Sequence, residues 1–118
     1  MRTNPDRGEI WLVDLTPTRG AEISKTRPAL VMSSLSIGRL SLRIIVPMTK
    51  WSPEYEAFPW MTSVNPNESN GLSKPSAADA FQIRSVSTRR FVKRLGVLPQ
   101  DVVSNIAKAI AICIDLDL

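Results

Sequence analysis

The chain has 118 residues, 43% of them hydrophobic and 22% charged, with a formal net charge of +4 and an isoelectric point near 9.7, which fits one globular domain and is too short for two. No histidine and a single cysteine, Cys113, exclude the usual zinc sites, an internal disulfide and a cysteine-based metal cluster, so no cofactor is expected. Apolar runs such as Ile44 to Met48 and Ala109 to Ile114 fall far short of the roughly 18 residues of a membrane span, and the opening MRTNPDRGEI lacks an apolar signal-peptide core, so a cytoplasmic protein is expected.

Short apolar segments punctuated by Pro, Gly, Ser and Asn follow one another along the chain. Ile10 to Leu15, Ala29 to Ser33, Leu42 to Met48, Trp60 to Val64, Ala77 to Phe81 and Ile83 to Val86 read as strands. Strands this short and numerous predict a small, strongly curved sheet or barrel. The connections TPTRGAEISKT, TKWSPEYEAFP and NPNESNGLSKPS are long, and loops of that length in a compact domain are functional or mobile. After Pro99, which suits a first helical turn, the period changes: Val103, Ile106, Ile110 and Cys113 or Ile114 recur at helical spacing. One amphipathic helix closes the chain, with its stripe in the core and Cys113 as a buried helix residue without redox function. Ile112 falls off that stripe and marks a subunit contact.

Positive charge is concentrated late in the chain. Arg84, Arg89, Arg90, Lys93 and Arg94 stand together with no acid among them, as either a solvated face or a phosphate-tracking patch. Alternation on a strand, and a short helix expected after Ser87, cannot aim all of them one way. Arg84 comes first as a phosphate contact and Arg89 or Arg90 next, whereas Lys93 and Arg94 fall on a neighbouring strand and face opposite sides. Gln82 and Arg84 lie two apart on a strand and so share a face. Trp51, Phe58 and Trp60 flank or lie in the middle of the chain, where exposed rings stack on unpaired bases. Of these, Trp51 is assigned to recognition, Trp60 reads equally well as core, and Trp11 reads as core.

Two blocks of the chain resemble a known family. RGEIWLVDLTPTRGAEISKTRPALVMS, residues 7 to 33, is similar to the opening signature of the MazF/PemK family, toxins of type II toxin-antitoxin systems that cut RNA. NGLSKPSAADAFQIRSVSTRRFVKRLGVLP resembles that family's second block, in which a Gln-Ile-Arg strand end precedes a basic helix and a Lys-Arg-Leu-Gly strand. The blocks stand in the family's order, and the match is weakest between Trp51 and Glu68. The resemblance implies a mainly β (α+β) fold, a small SH3-like β-barrel with appended helices, as a single domain over residues 1–118. It also implies a homodimer, a cognate antitoxin protein with an acidic disordered tail, and a metal-independent, sequence-selective endoribonuclease acting on single-stranded RNA.

RNA carries its own nucleophile in the ribose 2'-OH. An enzyme need only orient that hydroxyl, assist its deprotonation, stabilise charge on the phosphorane and help the 5'-oxygen leave. Arginine performs the third task without changing protonation, because its planar fork of donors fits phosphate oxygens. Pro28 biases the residue before it toward an extended backbone. By resemblance Arg27 is the catalytic arginine of the family's Arg-Pro motif; the dipeptide alone reads as an arginine paired with a carboxylate at a strand start. Thr49, closing IIVPMTK, matches the family threonine whose hydroxyl donates to a phosphate oxygen. Glu22 matches a loop glutamate that either accepts the 2'-OH proton or holds Arg27 in place. Gln82, Arg84, Arg89, Arg90, Lys25 and Trp51 complete the set as RNA-binding residues.

Departures from the pattern bear on mechanism. In the Kid/PemK branch a loop histidine, an arginine and an aspartate are implicated in catalysis, and the corresponding positions here are Ala21, Asp79 and Phe81. None of those groups is preserved, so the mechanism leans on Arg27 and Thr49, as in the MazF branch, although even there an acid often stands at the position of Phe81. Two alternatives stay open. One is a non-enzymatic toxin of the same barrel that inhibits DNA gyrase, since fold alone does not assign function. The other is an RNA-binding barrel with weak or lost activity.

Overall fold

In the computed structural model, which describes residues 4–37 and 40–117, two strands are apolar on both faces and organise the rest. The strands are β1 (Glu9–Asp14), β2 (Thr26–Val31), β3 (Leu42–Lys50), β4 (Met61–Val64), β5 (Ser76–Asp79), β6 (Arg84–Ser87) and β7 (Phe91–Val97), followed by α1 (Gln100–Cys113). All pair antiparallel in the order β4-β5-β3-β2-β1-β7, and β6 pairs with the first half of β3. Side chains alternate across a strand, so β2 sends Leu30 to one core and Ala29 and Val31 to the other, while β3 sends Val46 and Met48 one way and Ile45 the other.

Each core needs a cover. The first, which includes Ile10, Leu30, Val46 and Met48, is closed by Val103 and Ile106 of α1 and by Leu72. The second gathers Val13, Ala29, Val31 and Ile45 with Val86 of β6 and Phe91 of β7, so the sheet curves around it. Among the described residues no ladder joins β4 to β7; the SH3-like barrel expected from the sequence is an open, barrel-like sheet. Trp11 packs on the second core and meets Phe91 edge-on at 5.7 Å, in line with its core reading.

The expected strands all form, with ends shifted by at most three residues, and Phe91–Val97 supplies the Lys-Arg-Leu-Gly strand. Of the appended helices, α1 is the α-helix among the described residues; the rest are single 3-10 turns, including Thr88–Arg90 where a short helix was expected. Ser87 Oγ accepts the Arg89 N–H at 3.2 Å and caps that turn. Val103, Ile106, Ala109 and Ala111 are buried on α1, whereas Ile112 is 56% exposed, as its off-stripe position requires. Cys113 is half-buried rather than buried, because α1 ends there as it leaves the core. Among the described residues no helix is long and apolar enough to cross a membrane.

The loop between β4 and β5 is pinned rather than loose. Asn70 is fully buried; its Oδ1 accepts from the N–H groups of Asn67 and Leu72 at 3.2 and 3.0 Å, and its Nδ2 donates to the Asn65 carbonyl at 2.9 Å. Val97 N–H donates to the Ser69 carbonyl at 2.9 Å, tying the loop to β7. Gly96 permits this approach, since a Cβ there would run into the Ser69 oxygen and the Asn70 backbone. Gly96→Ala must therefore push the loop off β7. The expected cost is about 1–3 kcal/mol, the usual range for overpacking, read as a lower urea midpoint; an unchanged midpoint would show that the loop is not held this way.

Candidate active site

Two prolines open the sheet at the predicted site. The β2–β3 ladder pairs Val31 with Ile45, Leu30 with Val46 and Ala29 with Pro47. One further step would oppose Pro28 to Met48, and the next Arg27 to Thr49. Neither Pro28 nor Pro47 has an N–H to donate across this seam, and the β2–β3 ladder stops there. Met48, Thr49 and Lys50 pair with Ala78, Ala77 and Ser76 of β5, while Arg27 and Pro28 stay paired with Val13 and Leu12 of β1.

The gap is a pocket of about 30 Å³ that Arg27 and Thr49 line together. Lys50, Ser73, Lys74 and Ser76 complete its polar lining, and among the described residues no carboxylate joins them. Arg27 is half-buried, and its Nε makes a long hydrogen bond of 3.3 Å to the Ser24 carbonyl. Among the described residues Arg27 pairs with no carboxylate, unlike a purely structural strand-start arginine; the ion pair present is Arg94 with Glu9, at 3.0 Å. Cations and hydroxyls gathered without an acid are arranged for an anion such as phosphate. Sequence reading missed Ser73 and Lys74, because they reach the pocket through the pinned loop. The Asn70-Gly71 turn signal just before Leu72 is the trace they leave in the sequence.

A larger groove of about 480 Å³ begins at Pro47, one residue from the pocket. The first loop supplies one wall, with Ala21, Glu22 and Ile23; Phe81 to Arg84 supply the other. Several predicted RNA contacts prove to hold this loop. Gln82 Oε1 accepts the Ile23 N–H at 2.6 Å, and its Nε2 donates to the Ala21 carbonyl at 3.1 Å. Arg84 donates to the Leu15 carbonyl at 3.3 Å, and Arg90 donates to the carbonyls of Asp14, at 3.1 Å, and Thr16. Arg84 keeps most of its five N–H donors for another partner.

The remaining candidates are more dispersed. Glu22 is exposed, and its Oε1 accepts the Arg19 N–H at 2.6 Å, so it lines the groove rather than the Arg27 pocket. Lys25 is exposed and adopts φ +68, a left-handed conformation costing about 1 kcal/mol, as the loop turns into β2. Trp51 is half-buried, two residues beyond Thr49, with its N–H on the Pro75 carbonyl at 3.0 Å. Arg89 is exposed on its turn; Lys93 and Arg94 are on β7, as expected. Asp79 is buried, and its Oδ1 accepts the Phe81 N–H at 3.1 Å, so it caps the Ala80–Gln82 turn that carries Phe81 and Gln82. Among the described residues no three His, Cys, Asp or Glu side chains gather to hold a metal ion.

A curved, open sheet with a proline-flanked gap that collects cations and hydroxyls defines the class as a small, mainly β protein. Its relatives place it more closely. The family of PemK-like, MazF-like toxins of type II toxin-antitoxin systems matches residues 6–114, and the chain belongs to that family. It is similar to the endoribonuclease MazF9 of Mycobacterium tuberculosis, at 32% identity over 116 residues, covering 93% of this chain and 96% of the relative. The crystal structure of MazF from Deinococcus radiodurans superposes with a TM-score of 0.78 at 26% identity, covering 94% of this chain and 96% of that one. A MazE–MazF complex from the same organism gives 0.70 at 26% identity, covering 96% and 97%.

Two outcomes follow from this geometry. Gln82→Ala removes both straps on the first loop, each worth about 1 kcal/mol, so trypsin should cut after Arg19 or Lys25 roughly tenfold faster or more than in the wild type. Burial pushes the Asp79 carboxyl above its ordinary value, an effect only partly offset by hydrogen bonds from Phe81 and Gln82. A raised acid binds more protons folded than unfolded, so its ionisation lowers stability as pH rises from the unfolded value through the folded one. Asp79→Asn keeps an acceptor for Phe81 and should raise the thermal midpoint at neutral pH, an advantage that disappears below the usual carboxylate range.

Proposed function

We propose that the chain is an endoribonuclease toxin that cuts single-stranded RNA at selected sequences, with the scissile phosphate in the pocket between β2 and β3. The observation that carries this reading is the placement of Arg27 and Thr49 on one acid-free, cationic pocket, in a family whose relative MazF9 is named an endoribonuclease. The substrate's 2'-OH attacks the adjacent phosphorus, and the bond to the 5'-oxygen breaks. The products are a 2',3'-cyclic phosphate and a 5'-OH. As charge builds on the phosphorane, the Arg27 guanidinium and the Thr49 hydroxyl donate to its non-bridging oxygens, a role that preorganised donors fill best. The attacking proton passes by way of water to Glu22 of the adjoining groove, and a proton from water reaches the leaving oxygen. Glu22 makes no ion pair with Arg27 among the described residues, which favours acceptor over brace. An internal nucleophile needs no metal-bound water.

The same reading extends to partners and place. The chain works as one domain in the cytoplasm and is neutralised by an antitoxin whose acidic, disordered tail covers the cationic pocket, for which charge complementarity is the physical support; the Deinococcus neighbour is seen with MazE. It pairs with a second copy through exposed apolar side chains. Leu40, Leu42 and Ile44, at 59%, 50% and 41% exposure, line a groove of about 130 Å³ beside Ser33, Ser34 and Ser85, and Ile112 is exposed as well. Apolar patches rimmed by polar groups mark such contacts. A gyrase-binding toxin has no use for Arg27 and Thr49 on one pocket.

Purified protein incubated with a long RNA in EDTA should cut it, leaving 5'-hydroxyl ends, and a 2'-deoxy nucleotide at the cut position should abolish cleavage. Arg27→Ala and Thr49→Ala should remain folded and lose about 10²- to 10³-fold in turnover, with little rescue by Arg27→Lys, whose point charge does not reproduce the fork. Cleavage of the deoxy substrate, or an Arg27→Ala enzyme within a few-fold of wild type, would overturn the site.

A further inference from the structure

Three Trp, three Phe and one Tyr are the aromatic residues of the chain, and five of these side chains form one continuous row. Trp51 meets Tyr55 edge-on at 5.8 Å, and Tyr55 meets Phe58 at 6.1 Å. Phe58 stacks on Trp60 at 4.8 Å with planes 6° apart, and Trp60 meets Phe81 edge-on at 5.9 Å. None of the five belongs to either apolar core among the described residues. The row starts two residues beyond Thr49 and ends on the groove, where Phe81 is 65% exposed.

Phe81 is held in that position from both sides. Asp79 caps its turn through the Phe81 N–H, and Gln82 is strapped to the first loop, so the ring between them stays on the groove wall. Trp60 supports it from behind. A large apolar ring kept in water by its neighbours is placed for a ligand rather than for the core.

We infer that Phe81 is a base-stacking residue: an unpaired nucleobase flanking the scissile phosphate enters the groove and lies on the Phe81 ring. This rests on the RNA-cleaving reading above and adds a specificity determinant to it. The groove volume, about 480 Å³, falls within the roughly 300–1,000 Å³ of small-ligand sites. Phe81 and Arg84 both line it, so a π surface and a cation for the backbone phosphate share one groove, the combination that single-stranded nucleic acids use. Pro47 on the groove and Met48 on the Arg27 pocket are consecutive residues of β3, which sets the two sites near each other for one RNA strand to reach both. An apolar side chain of an acidic polypeptide is the competing occupant.

The test uses an RNA made uncleavable by a 2'-deoxy nucleotide at the cut position, with each base removed in turn, bound to wild type, Phe81→Leu and Phe81→Tyr. Leucine keeps apolar bulk without the π face; tyrosine keeps the face. Phe81 is exposed enough for both variants to fold, which their thermal midpoints check. One abasic position should weaken wild type and Phe81→Tyr by about 5- to 150-fold, the range for one stacked base. Phe81→Leu should bind the intact RNA that weakly already and lose nothing further at that position. Abasic penalties equal in wild type and Phe81→Leu would overturn the inference while leaving cleavage untouched, whereas wild type that neither binds nor cuts RNA would remove the functional reading beneath it. Loss by Phe81→Leu of binding to a synthetic acidic peptide containing one tryptophan, with RNA affinity unchanged, would assign the ring to a protein partner and likewise overturn it.

Discussion

Pro28 and Pro47 each lack a backbone N–H and so take one donor out of the sheet, and the β2–β3 ladder ends beside them, at the Ala29–Pro47 pair. β2 and β3 bury apolar residues on both faces, so they cannot separate where they are paired. They can part only where the prolines stop the pairing. At that point the β2–β3 ladder ends, while β3 keeps β5 on its other edge and β2 keeps β1, and the ends of the strands leave a pocket between Arg27 and Thr49. The site is therefore made by the discontinuity of an otherwise rigid sheet. Its two principal residues are held by strands rather than by loops, which favours the fixed donor geometry that stabilising a developing charge demands.

The long connections serve that pocket in different ways. The loop after β4 is pinned through buried Asn70 and the close approach of Gly96, and brings Ser73 and Lys74 to the gap. The loop after β1 is held from outside, by Gln82, Arg84 and Arg90 acting on its backbone. Positive charge in the Arg84 to Arg94 run is thus divided between shaping the first loop and facing solvent. A solvated face and a phosphate-tracking patch are both incomplete descriptions of it. Asp79 occupies the junction, because it caps the turn that presents both Phe81 and Gln82.

Aromatic side chains follow a similar division. Trp11 and Phe91 pack on the second core, while the row from Trp51 to Phe81 crosses the surface between the pocket and the groove. Phe81 is exposed and gives the groove a hydrophobic wall.

Much of this protein was determined by its sequence alone. Period-2 apolar segments located the first six strands to within three residues and the period change after Pro99 located the closing helix, because burial of alternate or helically spaced side chains is a local property written directly in residue order. Arg27 and Thr49 were singled out by the resemblance of their motifs to the MazF/PemK family, whereas the residues by themselves read as structural. What the tertiary structure decided was which groups meet. The end of the β2–β3 ladder beside Arg27 and Thr49, the arrival of Lys74 at the pocket, the capture of Gln82, Arg84 and Arg90 by loop backbone groups, and the placing of Glu22 on the groove instead of beside Arg27 all join residues far apart in sequence or oriented by a loop. Such contacts depend on the curvature of the sheet and on which backbone donors are left unpaired. Neither quantity has a period, and neither appears in the order of residues until the chain has closed on itself.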